Sequence, residues 1–452
     1  MVFIAAIVFF TILAALLMRF RKGGMDTKPL VQVIVLGDIG HSPRMQYHAL
    51  SLAATGKVCV ELIGFKGSKP LSEVVSHADI KIRYLRQLHI PPSWKVPFVI
   101  YAVLKVVFET VQLLFVLVTA AYRPEVLLVQ TPPAVPSMLV CAFVSVVSGS
   151  KLILDFHNIT HMHLAAKISN RWIIGLVRLY ETWVPRLAAS ASLCVTNAMR
   201  EYLKQTFKLP NVYTLYDRPG PQFKGRTSAL ARQDLEHRLK ATGVLRRTIS
   251  DFDFTIVSST SWTKDEDFSL VLAALPLFSA ETADKRTLLF ITGKGEMRDQ
   301  FVTEFNALGL KNVELVTAWL PAADYPLLLG VADIGVSVHT STSGLDLPMK
   351  AVDMLGSELP VVALSFPALN ELLADGKGGL TFTSADELAQ SLLRLTMLAD
   401  AKKTRDEFAR FGSVFRQQSF VSEWNSVAWP VIEKFIPRRS RQSRRRVGSS
   451  ER

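Results

Sequence analysis

One stretch near the N-terminus, VQVIVLGDIGHSPRMQYHA over residues 31–49, decides the class of fold. Its first six residues are apolar or β-branched apart from one glutamine, which is typical of a buried parallel strand. A turn with two glycines, Gly37 and Gly40, comes next, and Ser42 and Pro43 then suit the N-cap and first turn of a helix. A strand that passes through such a turn into a helix begins a βαβ unit. The stretch therefore predicts an α/β fold.

The same alternation of apolar strand, turn and helical stretch recurs along the chain, which predicts parallel sheets covered by helices. Ten strands are predicted on this pattern, at residues 31–36, 58–62, 126–130, 152–156, 192–196, 254–258, 288–292, 313–316, 334–338 and 361–363. Between the two groups of five, residues 217–250 contain Pro219-Gly220-Pro221 and a charged stretch, where we place a linker. The predicted domains are thus residues 30–216 and 251–420, with a terminal helix and basic tail at 421–452.

The composition places this α/β body at a membrane. The chain has 452 residues, of which 49% are hydrophobic, and its mean hydropathy is +0.25. This is enough apolar material for two packed cores, and it excludes a disordered chain. Residues 1–18 carry no charge and are followed by Arg19, Arg21 and Lys22, which predicts an uncleaved transmembrane anchor at residues 1–22 with a cytosolic body. Three widely spaced cysteines agree with a reducing compartment.

A second apolar segment, residues 98–121, has only a narrow polar stripe of Lys105, Glu109 and Gln112 at helical spacing. We interpret it as a helix that lies in the membrane surface or lines a groove for a lipid chain. Burial inside the domain is the alternative. The apolar run 136–147 can extend the same patch.

Of the net charge of +13, residues 437–452 contribute +6, because they hold seven arginines and one glutamate. Attraction to anionic lipid headgroups and a solvated, dispensable end are both compatible with this composition. Nucleic-acid binding is not predicted, because no aromatic residue is interleaved with the arginines.

Candidate chemistry in the first half stands at the carboxyl ends of two predicted strands, where open α/β sheets bind ligands. Gly37 and Gly40 would let a substrate approach the backbone next to Asp38. Asp155 and His157 are two residues apart and project to the same side of an extended segment, so the carboxylate can orient the imidazole and raise its basicity. A loop histidine with ordinary hydrogen bonds is the alternative.

Candidate chemistry in the second half follows the predicted strand 334–338. The segment from Ser341 to Asp353 opens a helix whose free amides would attract a phosphate, with Lys350 adding a positive charge. Asp353 shares a helix face with Lys350 and can accept hydrogen bonds from ribose hydroxyls. Asp346 caps the helix or pairs with Lys350, and Lys294, between two glycines, supplies a second cation.

One motif suggests a metal, but we predict no metal site. Asp251-Phe252-Asp253 has the D-x-D spacing of many metal-dependent sugar transferases. It stands at the start of a predicted strand, whereas ligand sites in such sheets lie at strand ends.

Three longer motifs resemble one known family. LGDIGHSPRMQYHA at residues 36–49, SSTSWT at 258–263 and SGLDLPMK at 343–350 are similar to the chitobiosyldiphosphodolichol β-mannosyltransferases, and the similarity runs from residue 30 to about residue 430. The resemblance implies a GT-B fold, in which two Rossmann-like domains face a central cleft. It also implies GDP-mannose as donor, dolichyl-diphosphate chitobiose as acceptor, and β-1,4 transfer on the cytosolic face of the endoplasmic reticulum. Other dolichol-pathway mannosyltransferases are possible partners.

For the reaction that the resemblance implies, the positions of the candidate residues suggest a role for each. Inverting transfer needs a base for the acceptor hydroxyl, for which His157 oriented by Asp155 is the first candidate and Asp38 the second. Gly37 and Gly40 belong to the acceptor side, in domain 30–216. The donor side, in domain 251–420, comprises Lys294, Ser343, Gly344, Leu345, Asp346, Lys350 and Asp353.

On this assignment, the lysines and the amides near Ser343 and Gly344 stabilise the leaving GDP, so no metal or other cofactor is required. Related retaining transferases carry two glutamates eight positions apart, and here Leu345 and Asp353 stand at those positions. Two other functions stay open: transfer from a UDP-sugar to a lipid diphosphate, and an inactive membrane scaffold.

Overall fold

A computed structural model describes residues 27–89, 97–263, 266–373 and 376–437. The described chain divides into two compact units. Unit 1 comprises residues 27–194, 200–215 and 423–437, and unit 2 comprises residues 195–199 and 216–422. The predicted anchor at residues 1–22 and the arginine-rich part of the tail lie outside the described residues.

Each unit is built on one parallel sheet. The strands are β1 (Leu30–Asp38), β2 (Cys59–Phe65), β3 (Ile80–Leu85), β4 (Pro124–Thr131), β5 (Lys151–Phe156), β6 (Ala189–Cys194), β7 (Val212–Thr214), β8 (Phe254–Thr260), β9 (Thr287–Gly293), β10 (Val313–Ala318), β11 (Ile334–Ser337), β12 (Val361–Leu364) and β13 (Gly379–Phe382). Unit 1 has the strand order β3-β2-β1-β4-β5-β6-β7, and unit 2 has the order β10-β9-β8-β11-β12-β13.

The helices connect these strands. They are α1 (Pro43–Ala54), α2 (Ser72–Ser76), α3 (Phe98–Val118), α4 (Ser137–Ser148), α5 (Thr160–Ala165), α6 (Arg171–Ala188), α7 (Asn197–Gln205), α8 (Ala229–Ala241), α9 (Ser269–Glu281), α10 (Arg298–Ala307), α11 (Tyr325–Val331), α12 (Met349–Gly356), α13 (Ala385–Thr396), α14 (Ala401–Gln417) and α15 (Phe420–Glu433).

In unit 1 the strand order reverses between β1 and β4. Because parallel crossovers are right-handed, α1 and α2 cover one face of the sheet, and α3, α4 and α6 cover the other. The central strands are buried on both faces, which explains their continuous Val, Ile and Leu content. The reversal opens a crevice at the carboxyl ends of β1, β4 and β5, and so places their loops at the position where such sheets bind ligands.

In unit 2 the order reverses between β8 and β11, which brings the loops after these two strands to one edge of the sheet. Residues 217–250, predicted as a linker, lie within this unit. They contain α8, whose Leu235 and Leu239 are buried in the same core cluster as Val257 of β8. The apolar face of α8 therefore outweighs its charged composition, and the segment is part of the domain.

Candidate functional site

The buried carboxylate of Asp155 organises the candidate site of unit 1. Asp155 is the second-last residue of β5, and its side chain has no exposed surface. Arg44 of α1 binds it with two donors, Nε and Nη2, each 2.8 Å from a carboxylate oxygen. His157 Nε2 lies 2.8 Å from Oδ2, and His48 Nε2 lies 3.1 Å from the same oxygen. Burial opposes ionisation, but Arg44 and His157 hold the pKa of Asp155 well below its ordinary range, so the group is a carboxylate.

The structure thus brings Asp155 and His157 together, as their spacing predicts. Because an ionised carboxylate only accepts hydrogen bonds, the proton of the His157 ring stands on Nε2 and the lone pair on Nδ1. The His157 side chain is 23% exposed, whereas Asp155 is fully enclosed. His157 therefore presents an oriented basic nitrogen, and a buried negative charge stands behind it.

Two further side chains fix this arrangement from the opposite side. The indole Nε1 of Trp424, in α15, donates to His48 Nδ1 at 2.9 Å. An indole N–H is only a donor, so His48 carries its proton on Nε2 and donates it to Asp155. Burial lowers the pKa of His48, in agreement with a neutral ring. Arg44 also donates to the carbonyl of Leu215 at 2.9 Å, which ties the network to the residue after β7.

Asp38 lies in a separate cluster at the end of β1. It accepts hydrogen bonds from the Gly40 amide at 3.0 Å and the Ser68 amide at 2.8 Å, and His41 Nδ1 is 2.7 Å away. Burial alone would raise its pKa, but the hydrogen bonds from Ser68 and Gly40 prevail and lower it. A Cβ on Gly40 would lie 2.5 Å from the Ser68 carbonyl oxygen, so the glycine is required by the close approach of two backbone segments.

The loop after β11 forms the first part of the candidate site in unit 2. Asp346 accepts hydrogen bonds from the hydroxyls of Ser341 and Ser343. Gly344 adopts φ +69°, which favours glycine, and its amide donates to Ser341 Oγ at 2.8 Å. The Leu345 amide donates to Ser343 Oγ at 3.2 Å. These two amides are therefore engaged within the loop. The phosphate-binding amides predicted at the N-terminus of α12 come after Pro348, and that role stays a prediction.

Asp346 also departs from its prediction. Its Oδ2 lies 3.5 Å from His339 Nε2, and the N-cap position of α12 is occupied by Pro348. Burial opposes ionisation of Asp346, but His339 and Ser341 prevail and lower its pKa. Within the described residues it organises the loop, and it neither caps α12 nor pairs with Lys350. The sequence pattern missed the competing serine and histidine donors.

Lys350 is held by a carboxylate from the loop after β8. Its Nζ bonds to Glu266 Oε1. The other oxygen of Glu266 accepts from the Thr260 hydroxyl and the Ser261 amide, each at 2.7 Å. The Glu266 side chain is only 3% exposed. Lys350, 30% exposed, is therefore a positioned cation at the carboxyl edge of the sheet.

Asp353 of α12 and Tyr325 of α11 are partly buried and influence each other electrostatically. Burial raises the pKa of Asp353 well above its ordinary range, which favours the neutral form of its carboxyl. Burial and the neighbouring Asp353 also raise the pKa of the Tyr325 phenol, whose oxygen lies 3.1 Å from Ser259 Oγ. A neutral carboxyl can both donate and accept a hydrogen bond, so it can bind a hydroxyl in either sense.

Lys294 lies at the next loop along the edge of the sheet. Its Nζ is 4.9 Å from the ring centroid of Trp319, an indole with 61% of its surface exposed. A Cβ on Gly293 would lie 1.8 Å from the Thr260 carbonyl oxygen, so the glycine permits the ends of the paired strands β8 and β9 to lie close together. The sequence did not single out Trp319, because an aromatic residue after a strand is ordinarily core.

Within residues 27–89, 97–263, 266–373 and 376–437, no group of three His, Cys, Asp or Glu side chains is arranged to hold a metal ion. The D-x-D pair has structural partners instead. Asp251 accepts a hydrogen bond from the Thr248 amide at 2.9 Å, and Asp253 accepts one from the Arg286 amide at 2.8 Å.

Comparison with known proteins agrees with this architecture. Residues 251–397 match the family model "Glycosyl transferases group 1". The chain is 38% identical to the chitobiosyldiphosphodolichol beta-mannosyltransferase of Mus musculus, over 95% of each chain. It is 34% identical to the "UDP-glycosyltransferase TURAN" of Arabidopsis thaliana, over 89% of this chain and 97% of that protein. The sucrose-phosphate synthase structure from Thermosynechococcus elongatus superposes with a TM-score of 0.62 at 15% identity, covering 88% of this chain and 98% of that one.

The two parallel-sheet units and these matches define a glycosyltransferase with the GT-B fold. Within this class, the sequence is more than 30% identical to several chitobiosyldiphosphodolichol beta-mannosyltransferases over nearly the whole of this chain and of theirs. The chain belongs to the chitobiosyldiphosphodolichol β-mannosyltransferase family.

Proposed function

We propose that the protein transfers mannose from GDP-mannose to the chitobiose of a dolichyl diphosphate and forms a β-1,4 linkage with inversion at the anomeric carbon. The observation that carries this proposal is the 38% identity to the Mus musculus enzyme over 95% of both chains. Relatives from Dictyostelium discoideum and Yarrowia lipolytica bear the same name, which supports a common substrate.

In this reaction the acceptor 4-hydroxyl attacks the mannose carbon in line with the departing GDP, and a base takes its proton. We assign this role to His157, whose Nδ1 is oriented by the hydrogen bond from Nε2 to Asp155. The imidazolium that forms is stabilised by the buried carboxylate. Asp38 is the second candidate, but its lowered pKa and its three hydrogen-bond partners make it a weaker base.

The leaving diphosphate gains negative charge as the bond to mannose breaks. Lys350 and Lys294 supply positive charge at the carboxyl edge of the unit 2 sheet, and the loop with Ser343 and Gly344 lies at the same edge. In the structure Lys350 bonds to Glu266, so this ion pair must exchange when the donor phosphates bind. Asp353, as a neutral carboxyl, is assigned to the ribose hydroxyls.

We propose that transfer needs no divalent metal, because the two lysines provide the charge that a metal would supply. We also propose that the protein is a single-pass protein of the endoplasmic reticulum membrane, with residues 1–22 as anchor and a cytosolic catalytic body. A role for other dolichol-pathway mannosyltransferases as partners stays a prediction.

A second donor class has one specific observation in its favour, since the Arabidopsis thaliana relative is named a UDP-glycosyltransferase. A UDP-sugar is therefore the second candidate donor. The inactive scaffold has less support, because the oriented Asp155–His157 pair serves no need of a scaffold.

The test is a donor panel with purified full-length protein. A chitobiose-diphosphate lipid is incubated with GDP-mannose, UDP-glucose or UDP-N-acetylglucosamine, with and without a chelator. We expect one hexose to be added from GDP-mannose alone, at the same rate in chelator. Transfer from a UDP-sugar instead would contradict the donor assignment, and chelator sensitivity would contradict metal-free transfer.

A further inference from the structure

His339 is a partly buried imidazole that the proposed mechanism does not use. It stands two residues after the end of β11, at the carboxyl edge of the unit 2 sheet, and its side chain is 22% exposed. Its Nε2 atom is buried and has no hydrogen-bond partner among the described residues. Buried polar atoms without a partner are uncommon in folded proteins, and a ligand-binding or catalytic role is one explanation for them.

The carboxylate of Asp346 faces this ring. Its Oδ2 lies 3.5 Å from His339 Nε2, a distance that suits an ion pair but is long for a hydrogen bond. Its Oδ1 accepts hydrogen bonds from the hydroxyls of Ser341 and Ser343. The two serines therefore fix the carboxylate with one oxygen toward the imidazole. A carboxylate at this distance stabilises positive charge on an imidazole.

Three further segments surround His339. Its backbone pairs with that of Glu266, in the loop after β8, as an isolated antiparallel bridge. The Glu266 carboxylate in turn bonds to Nζ of Lys350 in α12. The ring of Phe366, in the loop after β12, lies edge-on to the imidazole, with 6.2 Å between the ring centroids. His339 thus stands beside the ion pair whose lysine is assigned to the donor diphosphate.

The balance of charge at this edge indicates what the ring can bind. When Lys350 exchanges to a donor phosphate, Glu266 loses its cation, and the diphosphate brings further negative charge to loops that already hold Asp346. Lys294 lies at the next loop along the edge. A protonated His339 supplies positive charge between these groups. Because Nε2 is directed at Asp346, Nδ1 is the atom that can donate a hydrogen bond to a phosphate oxygen.

We propose that His339 binds the diphosphate of the nucleotide-sugar donor as an imidazolium, and that the ring takes up a proton when the diphosphate binds. Nδ1 then donates to a phosphate oxygen, and Asp346 balances the charge at Nε2. When the bond between mannose and the phosphate oxygen breaks, its electron pair stays on that oxygen. The imidazolium stabilises this added charge and keeps its proton. The inference deepens the proposed function, on which it rests for the class of donor.

Proton uptake on binding of GDP tests the inference without turnover. GDP is titrated calorimetrically into the full-length protein in detergent at pH 7.5, once in HEPES and once in Tris, which differ in their enthalpy of ionisation. The difference between the two binding enthalpies gives the number of protons taken up. At this pH the terminal phosphate has largely lost its second proton, because that pKa is about 6. We expect uptake of a fraction of one proton for each GDP bound.

Two variants assign the proton to His339. His339→Gln cannot become charged, so the uptake should disappear and the affinity for GDP should fall by roughly tenfold or more, the worth of one hydrogen bond to a charged group. His339→Lys carries a charge that does not titrate near neutral pH, so it should bind GDP more tightly than His339→Gln and take up no proton. His237→Gln, at an exposed histidine of α8, is the control and should match the unaltered protein.

Two results would overturn the inference. One is binding of GDP to the unaltered protein without proton uptake, and the other is equal uptake by the unaltered protein and His339→Gln. Tight binding of UDP and none of GDP would contradict the proposed donor alone. The same titration with UDP would then decide the role of His339, since both nucleotides carry the diphosphate.

Discussion

One carboxylate oxygen of Asp155 organises the candidate site of unit 1. Oδ2 of Asp155 accepts hydrogen bonds from Arg44 Nε, His48 Nε2 and His157 Nε2. Of these three donors, only the His157 side chain is partly exposed. Arg44 and His48 hold the carboxylate in place, so that His157 is oriented without further adjustment. Arg44 and His48 are positioning residues in this account, and His157 is the group that meets substrate.

His157→Ala should lower kcat by about two to four orders of magnitude, the usual effect of losing a general base. Donor affinity should stay near its original value, because the base makes no contact with the nucleotide. His237→Ala, at an exposed histidine of α8, is the control. Initial rates at saturating substrates decide the matter, and near-normal turnover of His157→Ala would eliminate this residue as the base.

Asp353→Ala should weaken GDP-mannose binding by roughly tenfold, the worth of about one hydrogen bond. Because burial favours the neutral carboxyl, Asp353→Asn retains a donor and an acceptor of the same kind and should lose less affinity. Calorimetric titration with GDP-mannose measures both, with Asp299→Ala as a control at a 90% exposed carboxylate. Unchanged affinity in Asp353→Ala would reject the ribose assignment.

His48 predicts a pH dependence of stability. Its folded pKa is lowered by burial, so below about pH 6.5 the unfolded chain binds a proton that the folded protein does not. The free energy of unfolding should therefore fall as the pH falls from about 7 to 5, by up to about 1.4 kcal/mol per unit from this residue. Asp155 stays ionised throughout this window and does not contribute. Urea unfolding of the original protein and His48→Gln should give a shallower slope for the variant, and equal slopes would contradict a neutral buried His48.

Part of the unit 1 site could be predicted from local spacing. Asp155 and His157 are adjacent on an extended segment, so their pairing follows from the strand itself. Arg44 and Trp424 could not be predicted in this way, because they are distant in sequence from their partners. Arg44 stands 111 residues before Asp155, and Trp424 stands 376 residues after His48. The same reason applies to Glu266, which lies 84 residues before its partner Lys350.

On the scale of elements, all ten predicted strands are present, and three strands were missed. β3, β7 and β13 are the missed strands, and each lies at an edge of its sheet. β7 and β13 have three and four residues, too few to show a pattern, and β3 alternates IKIRYL with a burial of only two residues. Central strands are buried on both faces and therefore show a continuous apolar run in the sequence, whereas edge strands need no such run.

α15 is the element that closes unit 1 over the Asp155 network. Its Trp424 is fully buried, and the indole N–H is the donor to His48. Trp424→Phe keeps most of the packing but leaves the buried His48 Nδ1 without its donor, which should cost about 1–3 kcal/mol of stability. Trp429→Phe, at a half-buried ring next to Lys57, is the control and should cost less. Equal losses measured by urea unfolding would contradict a specific role for the Trp424 hydrogen bond.

The two sheets of the molecule place their polar residues in the same way. Each reverses strand order at its centre and carries its polar residues on the loops at that reversal. Unit 1 holds the oriented imidazole of His157, and unit 2 holds the cations and the neutral carboxyl of Asp353. The alternation of apolar strands with helical stretches predicts this architecture from the sequence. The substrates cannot be predicted from that pattern, and their assignment depends on the similar proteins whose names state them.

The central claim, inverting transfer of mannose with His157 as base, is tested most directly by the anomeric configuration of the product. The mannosylated lipid made from GDP-mannose is hydrolysed, and the released trisaccharide is treated separately with β-mannosidase and α-mannosidase. We expect complete loss of the terminal mannose with the β-specific enzyme and none with the α-specific enzyme. An α-linked mannose would contradict the inverting mechanism and with it the role of the Asp155–His157 pair.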